Sequence, residues 1–201
     1  MESLGARDTP WQRPCIPLID RAIVEHTRRW IASFVIELGL CPFAQQVFDS
    51  GRIRYAISHA RDERALLNDL TVELRLLSAS PSTQIETTLL IHPHVLGNFL
   101  DYNNFLGVVD QLLEELGLCG TIQVASFHPH YRFAGTEPNA AENYTNRSPY
   151  PMLHLLRETS VSQATDPSNE VLEIPRRNVE TMRNLGREHI LKRLQTLDAE
   201  L

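Results

Sequence analysis

Two His-Pro-His triplets, residues 92–94 and 128–130, stand where imidazoles could do chemistry. Each triplet directly follows a short apolar segment with the pattern of a buried strand. Residues i and i+2 of an extended segment point the same way, so each triplet offers two imidazoles to one side. Imidazole is a general acid or base near neutral pH and a common zinc ligand. The alternative is that Pro93 and Pro129 end the strands and the histidines are turn residues.

Cys41 is the best candidate for a nucleophile. Pro42 fits the first position of a short helix, which makes Cys41 the predicted N-cap. The positive end of a helix dipole favours a thiolate, and His128 is the predicted base of a Cys–His site. In a metal-dependent version, zinc or iron replaces the thiol and binds His92, His128 and, as a third ligand, His154. The alternative is a buried, inert cysteine.

Residues 143–149 (NYTNRSP) give the strongest signal for ligand binding. Their amide and hydroxyl groups supply hydrogen bonds, and Arg147 offers a forked pair of donors that suits a carboxylate or a phosphate. Pro149 stiffens the segment and lowers the cost of ordering it on binding. The alternative is a turn that satisfies its own backbone. The predicted ligand-binding residues are Asn143, Asn146, Arg147, Ser148 and His154.

The elements that must position these residues alternate between helix and strand. Helical crossovers between strands imply parallel, right-handed βαβ units, and the carboxyl ends of such strands form the ligand-binding edge of an open sheet. We therefore predict a single α/β domain with a small, largely parallel sheet of at least three strands flanked by helices. The predicted elements are helices over residues 18–38, 62–77 and 98–116, and strands over residues 52–58, 87–91 and 121–127.

The pattern is weaker after the polar segment. Residues 152–158 predict a short helix, residues 159–174 are predicted to be irregular, and a marginal strand pattern covers residues 170–174. A basic helix follows from about residue 178, with a break at Gly186, and is predicted to be a solvated face or a docking surface. The predicted division is a flexible lead-in over residues 1–16, one α/β domain over residues 17–175, and a basic C-terminal helical extension over residues 176–201.

Composition narrows the class of partner. The formal net charge of −6 argues against nucleic acid, whose binding depends on neutralising phosphates. The apolar runs are too short to span a membrane and no secretory signal is recognisable, so we expect a cytoplasmic protein without a membrane partner. Three cysteines in a reducing compartment predict no disulfide framework. A homo-oligomer remains compatible with the sequence.

Two hypotheses of function follow. The first is an enzyme that acts on a small anionic metabolite at the strand ends, with His128 as acid or base and Cys41 as nucleophile or redox thiol. The second is a non-catalytic binding or assembly module with a rigid recognition surface. An enzyme should gather the thiol, the histidines and Arg147 in one pocket, whereas a module should leave them apart.

Several longer strings carry a family resemblance. They are LGLCPFA at residues 38–44, ETTLLIHP at 86–93, FLDYNNFL at 99–106 and TNRSPYPMLHLLRE at 145–158. Over about residues 20–185 the chain resembles a bacterial family catalogued as domain of unknown function 1415. The family pattern includes the His-Pro pairs at 92–93 and 128–129. The resemblance implies membership of that family and no particular activity.

Overall fold

The computed structural model describes residues 17–164 and 170–199, where strands alternate with helices around one sheet. The predicted lead-in over residues 1–16, which contains Cys15, lies outside the described residues. The helices are α1 (Leu18–Trp30), a π-helix (Ile31–Ile36), α2 (Ala44–Asp49), α3 (Glu63–Ala79), α4 (Phe99–Glu115), a 3-10 helix (Ala141–Asn146), α5 (Glu158–Ala164), α6 (Glu170–Leu185) and α7 (Arg187–Ala199). The strands are β1 (Ile53–Ile57), β2 (Thr87–Ile91), β3 (Ile122–Phe127) and β4 (Met152–Arg157).

The sheet is mixed, so the prediction of a largely parallel sheet is wrong. The described strands lie in the order β1-β2-β4-β3. β1 and β2 are parallel, whereas β4 runs antiparallel to both β2 and β3. β2 and β3 therefore run in the same direction without touching, because β4 returns between them. The carboxyl ends of β1, β2 and β3 still share one edge of the sheet.

β4 is the element that sequence pattern placed in the wrong class. Residues 152–158 were expected to be helical, but Leu153 and Leu155 are fully buried in a central strand. Leucine favours helices in isolation, and here pairing with a strand on each side overrides that preference. The marginal strand expected over residues 170–174 is also wrong, since this segment begins α6. α5 occupies the first part of the stretch expected to be irregular.

Several other elements confirm their predictions. β2 is buried along its whole length, as its continuous apolar run indicated. The carboxylate of Asp62 accepts the backbone N–H of Ala65 at 2.8 Å and caps α3. Asn98 caps α4 in the same way through the backbone N–H of Leu100, also at 2.8 Å. The predicted first helix divides into α1 and the π-helix, which ends at Ile36, and the turn that follows contains Gly39 with φ +63°.

Helices cover both faces of the sheet. On one face α3 and α4 pack against Leu90, Leu153 and Leu155, and on the other α1, the π-helix, α6 and α7 pack against Leu89 and Met152. The predicted solvated tail also has an apolar side, which buries Met182, Ile190 and Leu197 in the second core. Gly186, with φ +76°, separates α6 from α7.

The division proposed at residue 176 falls inside α6, which begins at Glu170. Within residues 17–164 and 170–199, none of the helices is both long enough and apolar enough to cross a bilayer.

Candidate functional site

A small apolar cavity lies between the sheet and the segment formed by the π-helix and α2. Its volume is about 80 Å³. Most of the described lining residues are aliphatic or aromatic. Four of them carry a hydrogen-bonding group or a thiol: Trp30, Cys41, Thr87 and His154. The other lining residues are Ile31, Val35, Phe43, Ala44, Val47, Ile53, Leu89 and Phe127.

A hydrogen-bond chain fixes the tautomer of His154. The hydroxyl of Thr87 donates to the carbonyl oxygen of Leu155 at 2.6 Å. Thr87 Oγ1 therefore accepts from His154 at the 2.8 Å contact, which puts the imidazole proton on Nε2. Nδ1 is left as an acceptor, and no other described residue forms a hydrogen bond with it. Burial lowers the pKa of His154 to about 4, so the ring is neutral at pH 7.

Cys41 lies two residues before the N-cap of α2 rather than at it. The helix begins at Ala44 and its N-cap is Phe43, so the predicted cap at Cys41 is wrong. The backbone N–H groups of Phe43 and Ala44 still favour the thiolate, but burial outweighs them and raises the pKa of Cys41. The free thiol is half-buried at the cavity. The thiol of Cys119 is free and exposed.

His128 is on the other side of the sheet from Cys41. Its Nε2–H donates to the carbonyl oxygen of Leu96 at 3.1 Å, and its Nδ1 accepts the backbone N–H of His130 at 2.9 Å. The ring packs on Tyr102 of α4, with 5.1 Å between centroids, and burial lowers its pKa. Both ring nitrogens are therefore engaged with backbone. The expected Cys41–His128 pairing is not formed, because His128 does not line the Cys41 cavity.

His92 follows the carboxyl end of β2 and His128 follows that of β3, so both lie at the same edge of the sheet, as the predicted strand directions indicated. Tyr102 lies beside both rings, with 5.8 Å between its centroid and that of His92. Nδ1–H of His92 donates to Val95 at 3.1 Å, and burial lowers the pKa of His92 to about 4. Within residues 17–164 and 170–199, no three His, Cys, Asp or Glu side chains form a group able to hold a metal ion. The predicted zinc or iron ligands therefore do not form a metal site in that part of the chain.

Asn143 organises the turn that precedes it. Its Oδ1 accepts the backbone N–H of Phe133 at 3.0 Å and the hydroxyl of Thr136 at 2.8 Å. Its Nδ2 donates to the carbonyl oxygen of Glu137 at 2.8 Å. Asn143 is fully buried. These contacts match the alternative in which the polar segment satisfies its own backbone.

Arg147 is engaged in the same turn. Its Nε donates to the carbonyl oxygen of Tyr131 at 3.1 Å, and its Nη2 donates to that of Pro138 at 2.7 Å. The guanidinium carbon also lies 4.2 Å from the ring centroid of Tyr144, a cation–π contact. Nε and Nη2 of Arg147, two donors that were predicted to bind an anion, are thus hydrogen-bonded to the protein backbone.

Asn146 and Ser148 complete this pattern, and Asn146 also reaches a second cavity. Asn146 Nδ2 donates to the carbonyl oxygen of Ser126 at 3.1 Å, and Ser148 Oγ donates to that of Tyr150 at 2.6 Å. The second cavity is an open cleft of about 1030 Å³ between the 3-10 helix and α6. α6 contributes Arg176, Arg177 and Arg183 to it.

Two residues of the Cys41 cavity carried no signal in the sequence. Thr87 looked like one more β-branched residue of a buried strand, and Trp30 like part of the apolar face of a helix. Thr87 and His154 are diagonal neighbours across β2 and β4 because the register pairs Thr87 with Leu156. That register exists only because β4 is a strand.

The fold and the cavity define a mixed-sheet α/β protein with a thiol and a neutral imidazole at one apolar cavity. The family model described as "Protein of unknown function (DUF1415)" matches residues 22–192. The chain belongs to this family, as the resemblance of its longer strings indicated. Curated proteins gave no match, and solved structures gave none either.

Proposed function

We propose that this protein is a small-molecule enzyme in which Cys41 is the nucleophile and His154 the general base. The full set expected of an enzyme is not gathered, since His92, His128 and Arg147 lie outside the Cys41 cavity. His154 therefore takes the role that sequence pattern assigned to His128. The single observation that carries the proposal is that Cys41, His154 and Thr87 line the same cavity. A nucleophile, a base and a group that orients the base form the arrangement used in thiol catalysis.

The resting site holds a neutral thiol and a neutral imidazole. Burial raises the pKa of Cys41 and lowers that of His154, so a spontaneous thiolate–imidazolium pair is unfavourable. Proton transfer from Sγ to Nδ1 is therefore expected only as the sulfur attacks a bound substrate, which is general-base catalysis. The π-helix that forms one wall supports a functional reading, since π-helical turns are frequent at functional sites.

Alkylation kinetics with iodoacetamide test the proposal. His154→Gln keeps an N–H for Thr87 and removes the basic Nδ1, so Cys41 should react at least about tenfold more slowly at pH 7. The exposed thiol of Cys119 is an internal reference whose rate should not change. Equal Cys41 rates in both proteins would contradict the assigned base. That outcome favours a second candidate, non-catalytic binding of an apolar ligand in this cavity.

The anionic-metabolite hypothesis is best supported at the cleft beside α6. Arg177 lines this cleft with Asn146, whereas Arg183 is paired with Glu142 at 2.7 Å. Titration with inorganic phosphate checks this, with Arg177→Gln expected to weaken binding and the exposed Arg187→Gln, on α7, expected to leave it unchanged. Phosphate affinity that is equal in the two variants would remove this cleft from consideration.

Location and assembly are further parts of the proposal. The free thiols of Cys41 and Cys119 support a cytoplasmic location, because reducing compartments preserve such thiols. The net charge of −6 supports the absence of a nucleic-acid partner. Native mass spectrometry distinguishes a monomer from the homo-oligomer with which the sequence is compatible.

A further inference from the structure

β1 is an edge strand, so one side of its backbone faces away from the sheet. The carbonyl of Arg52 and the N–H of Ser58 form hydrogen bonds toward β2. Backbone groups of a strand alternate in direction, so the N–H and C=O groups of Ile53, Tyr55 and Ile57 point away from β2. In the part of the chain that the structure describes, nothing forms a hydrogen bond with these outward groups. All three residues are partly exposed, and such an edge is a template for another strand.

An open groove lies beside β1 on the face of the sheet that α3 covers. Its volume is about 490 Å³. Ala56, Ala60 and Ala65 line it, and their small side chains leave space that longer side chains of a neighbouring strand can enter. α3 packs against β2, the next strand in the sheet, and the groove beside β1 stays open. This face of the edge strand therefore has room for a second chain.

Two charged side chains near this edge have unused hydrogen-bonding atoms of opposite kind. Arg54 donates from Nε and Nη2 to Glu73, at 2.7 and 2.8 Å, and its Nη1 has no partner among the described residues. Asp69 accepts from the Ser58 hydroxyl through Oδ2 at 2.6 Å, and no described residue bonds to its Oδ1. One surface thus carries both a spare donor and a spare acceptor, as a self-complementary contact requires.

We propose that β1 of one copy pairs antiparallel with β1 of a second copy, about a two-fold axis at Tyr55. Tyr55 then faces the partner's Tyr55, and Ile53 faces the partner's Ile57. In this register each outward N–H and C=O of the three residues gains a partner, whereas a register shifted by two residues leaves some of them unpaired. The two sheets join into one continuous sheet. Because a two-fold contact closes on itself, association ends at a dimer.

Charge and shape on the α3 face fit the same register. Residues directly opposite in an antiparallel pair point to the same face, so Arg54 lies beside the partner's Ala56. The partner's Asp69 lines the groove together with that alanine. The unused Nη1 of Arg54 donates to the unused Oδ1 of the partner's Asp69, and the two-fold axis repeats this contact. A second copy therefore fits the edge better than an unrelated peptide, which would have to supply an arginine at the same position.

The dissociation constant of the full-length protein, measured by analytical ultracentrifugation, tests the strand pairing. Ile57→Pro removes one outward N–H per copy at an edge position that tolerates proline, and Ile57→Ala shortens the same side chain but keeps that N–H. We expect the unmodified protein to be a dimer, and Ile57→Pro to have a dissociation constant at least about tenfold above that of Ile57→Ala. A monomer, a polymer that grows with concentration, or equal constants for the two variants would overturn the proposal.

Asp69→Asn tests the charged contact without altering the strand. Asparagine keeps an oxygen for the Ser58 hydroxyl and removes the carboxylate that the partner's Arg54 meets. Asp110→Asn on α4 is the matched control, because Asp110 is exposed and its replacement changes the net charge equally. We expect Asp69→Asn to raise the dissociation constant at least about threefold above that of the control. Equal constants for these two variants would overturn the register centred on Tyr55.

Discussion

Two neighbouring threonines of β2 differ in what their hydroxyls do. Thr87 and Thr88 are 4% and 0% exposed, and they lie on opposite faces of the sheet because successive side chains of a strand alternate. Thr87 bonds to both His154 and Leu155. Thr88 Oγ1 is buried and has no hydrogen-bond partner among the described residues. The first hydroxyl orients the candidate base, and the second contributes no bond.

Replacement by valine separates these roles. Thr87→Val leaves the buried Nε2–H of His154 without a partner, so it should lower the free energy of unfolding by about 1–3 kcal/mol and slow alkylation of Cys41. Thr88→Val removes an unpaired hydroxyl of similar shape and should be neutral or stabilising by about 1 kcal/mol. Urea denaturation measures both, and equal losses of stability would contradict the assignment.

Polar side chains such as those of Asn143 and Arg147 are easily mistaken for ligand-binding groups when only the sequence is known. Asn143 and Arg147 carry donors and acceptors suited to a ligand, but a sequence does not show how many of them the chain itself uses. In the folded protein both amide atoms of Asn143 and two nitrogens of Arg147 bond within the turn. The location of an ordered, polar turn was predictable, and the destination of its hydrogen bonds was not.

Among the elements, those with strong local signals were predictable. β2, α3 and α4 have a continuous apolar run or a capped helical pattern, and each lies within two residues of its expected ends. β4 was not predictable in this way, because its leucines favour a helix until β2 and β3 flank it. One misassigned strand was enough to turn a mixed sheet into a predicted parallel one.

Tyr102 of α4 forms hydrogen bonds with the backbone of both β3 and β4. Its hydroxyl donates to the carbonyl oxygen of Met152 at 2.9 Å and accepts the backbone N–H of Phe127 at 3.0 Å. Tyr102→Phe leaves both groups buried without this partner, and we expect a loss of about 1–3 kcal/mol in the free energy of unfolding. Tyr144→Phe is the matched control, since that hydroxyl bonds to no other described residue and the ring contact with Arg147 is kept. A larger loss for the control would rule out this role of Tyr102.

At the scale of the whole molecule, a sheet covered on both faces separates residues that are adjacent in sequence. Phe127 lines the Cys41 cavity, while the next residue, His128, packs on Tyr102 across the sheet. The sequence therefore paired Cys41 with His128, a histidine on the other face of the sheet, whereas the histidine that lines the Cys41 cavity is His154. His154 lines the same cavity as Cys41 only because β4 returns antiparallel beside β2.

Buried histidines on both faces of the sheet make the free energy of unfolding depend on pH. The pKa values of His92 and His154 fall from 6.5 to about 4 in the folded protein, and each shift corresponds to about 3 kcal/mol. Between these values the unfolded chain binds more protons than the folded one. Stability is therefore complete above about pH 6.5 and declines as the pH falls toward 4.

Variants of one His-Pro-His triplet isolate this effect from the titration of carboxylates. His92→Asn keeps a side-chain N–H for Val95 and removes one titrating ring, so its stability should fall less steeply between pH 6.5 and 4, by up to about 1.4 kcal/mol per pH unit. His94 is exposed, and His94→Asn should keep the slope of the unmodified protein. Urea denaturation at intervals across this range measures the three slopes. A His92→Asn slope equal to that of the unmodified protein would mean that the buried ring already carries its proton in the folded state.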